Sequence, residues 1–336
     1  MAQNAHLATP DPEWAAMSEH IPIGKPAVSV QVLREETEVL RARLLASADK
    51  GPTEGLKVIE RSLEVENGEI RARVYIPDVQ ENEAGANGFP LMSWFYGGGF
   101  VLGSIDDDDG MLRNLAVSSR IVCVGADYRK APENPFPTAV NDSYAAFKWA
   151  LNNSFEFSVD VSKGVIVAGL SSGANLAAVI AQKSLKDPEL KEKLTGQLLV
   201  MPTVISPGTY PEKFKSELLS LDKDEDQRIL RKDKFILNSE AYRGSADTTN
   251  PELSPLLAES FEGLPPAYIQ IAGLDILRDE GLLYARLLKE AGVATRVDTY
   301  PGLPHGFHVA FKHFDATKIQ QADFVDGLNW LLGRTA

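Results

Sequence analysis

One cysteine in 336 residues leaves nothing for an intrachain disulfide to form with. That residue, Cys123, lies in the apolar run Arg120-Ile121-Val122-Cys123-Val124-Gly125 and reads as a small core hydrophobe rather than a reactive thiol. No apolar stretch approaches the roughly 18 residues that cross a bilayer. The start, Met1-Ala2-Gln3-Asn4-Ala5-His6, has neither a basic nor an apolar segment, so no signal peptide is visible and a cytoplasmic location is expected. Positive charge is scarce too: 34 Lys and Arg against 47 Asp and Glu leave a net charge of −13. Such a surface repels phosphate backbones and anionic bilayers alike, so neither nucleic acid nor membrane is an expected partner. Core material is plentiful. With 44% hydrophobic and 24% charged residues, the chain can bury one large α/β domain or two smaller ones.

Two Pro-punctuated segments open the chain, followed by a helix within Val28–Leu45, where Val32, Val39, Leu40 and Leu44 fall near helical spacing. Asn67-Gly68 between Leu56–Glu66 and Glu69–Ile76 predicts a hairpin, and the polar stretch Gln80–Gly88 a surface loop. From residue 90 strands and helices alternate. The strands are Leu91–Phe95, Ile121–Ala126, Val165–Ala168, Gln197–Met201, Ala267–Ile271 and Thr295–Tyr300; the helices are Thr138–Leu151, Ser172–Leu185, Arg278–Ala291 and Asp315–Leu332. That rhythm predicts an α/β fold with a mostly parallel central sheet and helices on both faces. Residues 206–250 interrupt it with charge-rich sequence centred on Leu221-Asp222-Lys223-Asp224-Glu225-Asp226, suited to one or two amphipathic helices. The expected organisation is a main domain of residues 56–205 and 251–336, roofed by residues 1–55 and by the insertion 206–250.

Gly169-Leu170-Ser171-Ser172-Gly173 is the only G-x-S-x-G in the chain. A strand enters it and a helix leaves it, the context in which a serine sits on a sharp turn that demands small neighbours. The helix N-terminus adds partial positive charge and a free N–H beside a developing oxyanion. A serine hydroxyl needs a base, and in such a fold the order along the chain is nucleophile, acid, histidine. Of the five histidines, His6 and His20 come too early. His305 follows the last strand in Tyr300-Pro301-Gly302-Leu303-Pro304-His305-Gly306, while His308 and His313 read as packing or surface residues. Asp275, after the preceding strand, is the expected acid; Asp279 and Glu280 read as first-turn acids of the next helix. Tyr96-Gly97-Gly98-Gly99-Phe100 supplies glycines whose N–H groups can converge. Gly98, Gly99 and the Ser172 N–H are the expected oxyanion donors. A phosphate loop is disfavoured, because no Gly-Lys-Ser/Thr follows. Asp106-Asp107-Asp108-Asp109 lacks the alternate spacing of a calcium loop and reads as a solvated loop leading, with an acidic N-cap, into a helix around Met111–Val117. Neither metal nor cofactor is expected.

Together these residues resemble the hormone-sensitive-lipase-like esterases, with their H-G-G-G loop and G-D-S-A-G motif, from about residue 88 to the C-terminus. The pieces that carry the likeness are Gly97-Gly98-Gly99-Phe100, Asp127-Tyr128-Arg129-Lys130-Ala131-Pro132-Glu133 with Pro135-Phe136-Pro137, Asp275-Ile276-Leu277-Arg278-Asp279-Glu280-Gly281, and His305-Gly306-Phe307. The resemblance implies an eight-stranded α/β-hydrolase sheet under a helical cap, Asp275 and His305 as acid and histidine, and cofactor-free hydrolysis of short- to medium-chain or specialised-metabolite esters. Tyr96 stands where the family has its motif histidine, and Leu170 and Ser172 replace its Asp and Ala; none belongs to the triad, so these departures bear on substrate range. Plant gibberellin receptors share the fold without the histidine, so His305 weighs against a silent receptor. Acyl transfer to an acceptor other than water stays open, as does a homodimer. The expected partner is a small ester.

Overall fold

Each apolar run expected to be a strand forms one in the computed structural model, which describes residues 4–26, 28–80, 88–223 and 228–334. Eight strands make a single sheet: β1 Leu56–Val65, β2 Gly68–Pro77, β3 Leu91–Phe95, β4 Val122–Ala126, β5 Val165–Leu170, β6 Gly196–Val200, β7 Ala267–Ala272 and β8 Thr295–Tyr300. Their order is β1-β2-β4-β3-β5-β6-β7-β8; β1 and β2 run antiparallel and the remaining six are mutually parallel. The hairpin turn sits one residue earlier than expected. Asn67 takes the left-handed φ of 59°, and Gly68 already pairs with Val65.

The α-helices are α1 Pro12–Ser18, α2 Val30–Ser47, α3 Asp109–Ser119, α4 Thr138–Asn152, α5 Ser172–Ser184, α6 Ser220–Lys223, α7 Lys232–Arg243, α8 Arg278–Glu290, α9 Phe307–Ala310 and α10 Asp315–Leu331. One core lies between the sheet and α4, α5 and α8, around Phe95, Phe147, Val167, Ile180 and Tyr284. A second lies under α1, α3 and α10, around Trp14, Trp94, Leu115, Tyr268, Phe324 and Leu328. Buried on both faces, the parallel strands read as near-continuous apolar runs, and every residue of β3 and β4 is buried. The chain reverses its direction across the sheet at β3, with β4 on one side and β5 on the other; in open α/β sheets ligands bind beyond the carboxyl ends of the strands at such a point.

Two expectations change. Val39, Leu40 and Leu44 of α2 are exposed rather than packed, since that helix is held through arginines. Most of the loop expected at Gln80–Gly88 (residues 81–87) and part of the acidic run in the insertion (224–226) lie outside the described residues. Asp106–Asp109 is not a solvated loop. Asp106 pairs with Arg71 and Arg73, both at 2.7 Å, and Asp107 with Arg41 at 2.7 Å. Asp109 meets Arg73, Arg113 and the Tyr75 hydroxyl at 2.7–2.8 Å. Asp108 does stand at the N-cap of α3, but its carboxylate accepts from Trp94 Nε1 at 2.7 Å instead of capping. Burial pushes that carboxyl up to about 6. Lone acids in sequence become ion pairs because the partners come from β2, α2 and α3.

Asp279 and Glu280 do open α8, but as buried anchors, not as surface acids. Asp279 accepts from Leu219 N and Ser220 N at 3.0 and 2.8 Å, and from Asn4 Nδ2 at 3.1 Å. Glu280 accepts from Val204 N at 2.7 Å, and burial raises its carboxyl from 4.5 to about 8. Between those two values the folded state keeps a proton that the unfolded chain releases, so stability falls as pH rises from 4.5 toward 8. Glu280→Gln keeps an acceptor for Val204 N and should flatten that fall. Urea midpoints measured between pH 5 and 8 check it; an unchanged slope refutes it.

Candidate active site

Ser171 sits on the turn from β5 into α5 with φ 56° and ψ −115°, a strained geometry for a side chain with a Cβ. Its neighbours explain why they are glycines. A Cβ on Gly173 would lie 1.9 Å from the Phe95 carbonyl oxygen, and one on Gly169 would lie 2.4 Å from the backbone of Gly173. The Ser171 N–H donates to Val200 O at 2.8 Å, and its carbonyl accepts from Asn175 N at 3.1 Å. The turn is therefore pinned from β6 and from its own helix. Its side chain is partly open to solvent, while the following residue, Ser172, is buried.

Asp275 and His305 come from the ends of β7 and β8. Leu274 N donates to Leu303 O at 2.9 Å and Gly273 N to Tyr300 O at 2.8 Å, which ties the two loops together. Asp275 Oδ2 lies 2.6 Å from His305 Nδ1, and Asp275 Oδ1 accepts from Leu277 N at 2.9 Å. Hydrogen bonding assigns the ring proton to Nδ1, leaving Nε2 as the basic nitrogen. The acid is buried at 3% exposure, which strengthens its hold on the ring. His308, three residues on, differs: burial drops its imidazole to about 3, so it stays neutral and does not compete as a base. His313 packs edge-on against Phe314.

The glycine loop leaves β3 with Gly98 at φ 132° and Gly99 at φ 61°. Among the described residues the N–H groups of Gly98 and Gly99 have no backbone acceptor, whereas the Gly98 carbonyl takes both Val101 N and Leu102 N. Tyr96, where the motif histidine was expected, is buried, and its ring stacks on Tyr128 at 4.3 Å. Its hydroxyl lies 3.0 Å from Asp127 Oδ1 and 3.2 Å from Tyr128 O, while Tyr128 returns a bond to Tyr96 O at 3.0 Å. Burial raises this phenol well above its ordinary value, so it remains a neutral donor. The single hydroxyl thus replaces the two ring nitrogens a histidine would use. Tyr96, Ser171, Asp275 and His305 each lie just beyond the carboxyl end of a parallel strand.

Asp279 and Glu280 are the residues whose part in holding these loops was missed, and their i, i+1 placement at a helix start gave no signal of burial. Among the described residues no group of three or more His, Cys, Asp or Glu side chains is arranged to hold a metal ion. A cavity of about 630 Å³ lies inside 206–248, lined by Tyr210, Leu218, Leu221 and Ile236; one of about 570 Å³ borders Leu170, Trp94, Asp108 and His308. Neither is lined by Ser171, His305 or the glycine loop.

A family model described as alpha/beta hydrolase fold matches residues 92–309. Esterase LipI of Mycobacterium tuberculosis is 35% identical over 272 residues, which cover 80% of this chain and 81% of LipI. Among solved structures, vibralactone cyclase superposes with a TM-score of 0.91 at 34% identity, covering 98% of this chain and 96% of that one. An esterase of Pyrobaculum calidifontis gives a TM-score of 0.82 at 32% identity, covering 96% of this chain and 99% of its own.

Tyr96→Phe keeps the stack on Tyr128 but loses the bonds to Asp127 and Tyr128. Loop position should loosen without removal of any backbone donor, so kcat should fall roughly 10-fold or less with KM little changed. Unchanged kcat would make Tyr96 a packing residue; total loss would put its hydroxyl on the substrate itself.

Proposed function

The chain belongs to the α/β-hydrolase family, in its hormone-sensitive-lipase-like branch, and is a carboxylic ester hydrolase; on that premise we propose that Ser171 is its nucleophile, His305 its general base and Asp275 the acid that orients the base. The observations that carry this assignment are the 2.6 Å Asp275–His305 pair and the strained Ser171 turn at the carboxyl end of β5. His305 Nε2 takes the proton as Ser171 Oγ attacks the ester carbonyl, and Asp275 stabilises the imidazolium that forms. The N–H groups of Gly98, Gly99 and Ser172 receive the oxyanion. Collapse expels the alcohol, protonated by His305, and leaves an acyl-enzyme. Water, activated by the same nitrogen, releases the acid and restores Ser171.

Residues 1–55 and 206–250 form the cap over this site. Arg228 Nε donates to Ile21 O at 3.2 Å, and the Arg231 guanidinium bonds to Gly24 O, so the two segments support each other. No helix among the described residues is long and apolar enough to cross a membrane. The likeness to esterases supports a small ester as substrate, short- to medium-chain or a specialised metabolite.

Ser171→Ala should abolish turnover of nitrophenyl esters and labelling by a fluorophosphonate, leaving at most about 10³–10⁴ over water. Mass spectrometry of the labelled parent should find the adduct on Ser171; an adduct elsewhere, or a fully active variant, refutes the assignment.

The likeness to vibralactone cyclase supports a second reading, in which the acyl-enzyme passes its acyl group to a hydroxyl of the same molecule. Ring closure and hydrolysis then share every residue above and differ only in the acceptor. Turnover of a hydroxy-ester followed by mass spectrometry separates them: a product lighter by one water than the free hydroxy acid marks cyclisation, and the free acid alone marks hydrolysis.

A further inference from the structure

Gly97, Gly98 and Gly99 carry no side chain that could hold their own loop in place, so its position depends on what surrounds it. One neighbour is Arg34 on α2. Its Nε donates to Val101 O at 3.0 Å, and one terminal nitrogen donates to Ala131 O at 2.7 Å. The guanidinium also grips both oxygens of Glu133 at 2.6 and 2.9 Å. Val101 N in turn donates to Gly98 O at 3.2 Å, so Arg34 acts on the turn that contains Gly98 and Gly99.

The other neighbour is α7, from the insertion. A Cβ on Gly99 would lie 2.6 Å from Asn238 Nδ2 and 3.1 Å from Asn238 Cβ, so the Asn238 side chain fills the space beside Gly99. One helical turn on, Tyr242 stacks on Phe100 with ring centres 3.6 Å apart, and its carbonyl accepts from Phe136 N at 2.7 Å. Phe100 is held at φ 64°, a conformation that side chains disfavour and that persists only when surroundings impose it. Asn238 is itself a costly choice: it is 7% exposed, and its Oδ1 has no hydrogen-bond partner among the described residues. An apolar side chain of similar size would fill the same space without that cost.

From these contacts we infer that Arg34 and Asn238 are positioning residues of the oxyanion hole: the two cap segments, and not the sheet alone, set where the Gly98 and Gly99 N–H groups point. The inference rests on the reading of Gly98 and Gly99 as oxyanion donors. Its consequence is that seating the cap and completing the hole are one event, so the cap governs turnover as well as access. A misplaced donor is felt where negative charge has developed, hence in kcat rather than in substrate binding.

The test compares Arg34→Met, Arg34→Lys, Asn238→Ala and Ser171→Ala with the parent on a short nitrophenyl ester. Affinity for a trifluoromethyl ketone, whose serine adduct carries the oxyanion, is measured beside kcat and KM. Arg34→Met and Asn238→Ala should each lower kcat about 10-fold, less than the roughly 10²–10³ lost with a whole donor, with KM little changed. Trifluoromethyl ketone affinity should weaken by the same factor. Lysine cannot span Val101 O, Ala131 O and Glu133 together, so Arg34→Lys should recover only part of the loss. Thermal midpoint supplies the readout that plain packing would not give. Asn238→Ala removes the orphaned oxygen, so activity should fall while the midpoint holds or rises. If KM rises while kcat and ketone affinity stay at parental values, the cap touches substrate only and the inference is overturned. Ser171→Ala separates the two possible failures. Turnover in that variant sinks the triad reading; an inactive Ser171→Ala beside Arg34 and Asn238 variants of parental kcat and ketone affinity sinks this inference alone.

Discussion

The Phe95 carbonyl passes so close to Gly173 that a Cβ there would lie 1.9 Å from its oxygen. Much else follows from that approach. Because β3 ends against the first turn of α5, the glycine loop begins where the serine turn is tightest. The same crowding excludes a side chain at Gly169 and forces Ser171 to φ 56°. Strain of that kind persists only where surrounding structure over-determines it, and Val200 O and Asn175 N hold the turn from either side. A sheet buried on both faces gives the strand ends the rigidity such a contact needs.

The start of α8 organises the other half of the site. Three acids within six residues leave it in three directions. Asp275 takes the His305 ring, Asp279 takes the backbone of Leu219 and Ser220 together with Asn4, and Glu280 takes Val204 N. One short stretch therefore fixes the histidine loop, the middle of the insertion at Leu219–Ser220 and the segment after β6. Buried carboxylates are costly unless satisfied, and here each is satisfied by a loop that would otherwise be free to move. The insertion and the Asp275–His305 pair thus share supports at the start of α8.

The sheet and its helices were legible because their signals are local. Apolar runs of five or six residues at β3, β5 and β7 and the helical spacing of α4, α5, α8 and α10 depend on neighbours along the chain, and their ends were placed to within a residue or two. The Ser171 turn and the Asp275–His305 pair were legible for a related reason: the fold orders such residues along the chain, so sequence position alone ranks the five histidines. Asp106–Asp109 was misread, and the exposure of apolar residues on α2 and the burial of Glu280 went unseen, because their environment is made by segments far away. Arg71 and Arg73 reach Asp106 across more than 30 residues, and Asp279 meets Asn4 across 275.

Sequence by itself determined the fold class and the glycines of the serine turn, and it nominated Ser171, Asp275 and His305 as the triad proposed above, since strand and helix patterns and turn glycines are local signals. Tertiary structure alone decided what surrounds them: that three of the four consecutive aspartates are ion-paired while Asp108 is held by Trp94, that Tyr96 is bonded through its hydroxyl to Asp127, that Arg34 reaches Val101 O and that Asn238 packs beside Gly99. The physical reason is that periodicity and backbone sterics are short-ranged along the chain. Burial and charge pairing belong to the docking of distant segments, and no local pattern encodes which arginine an aspartate will meet.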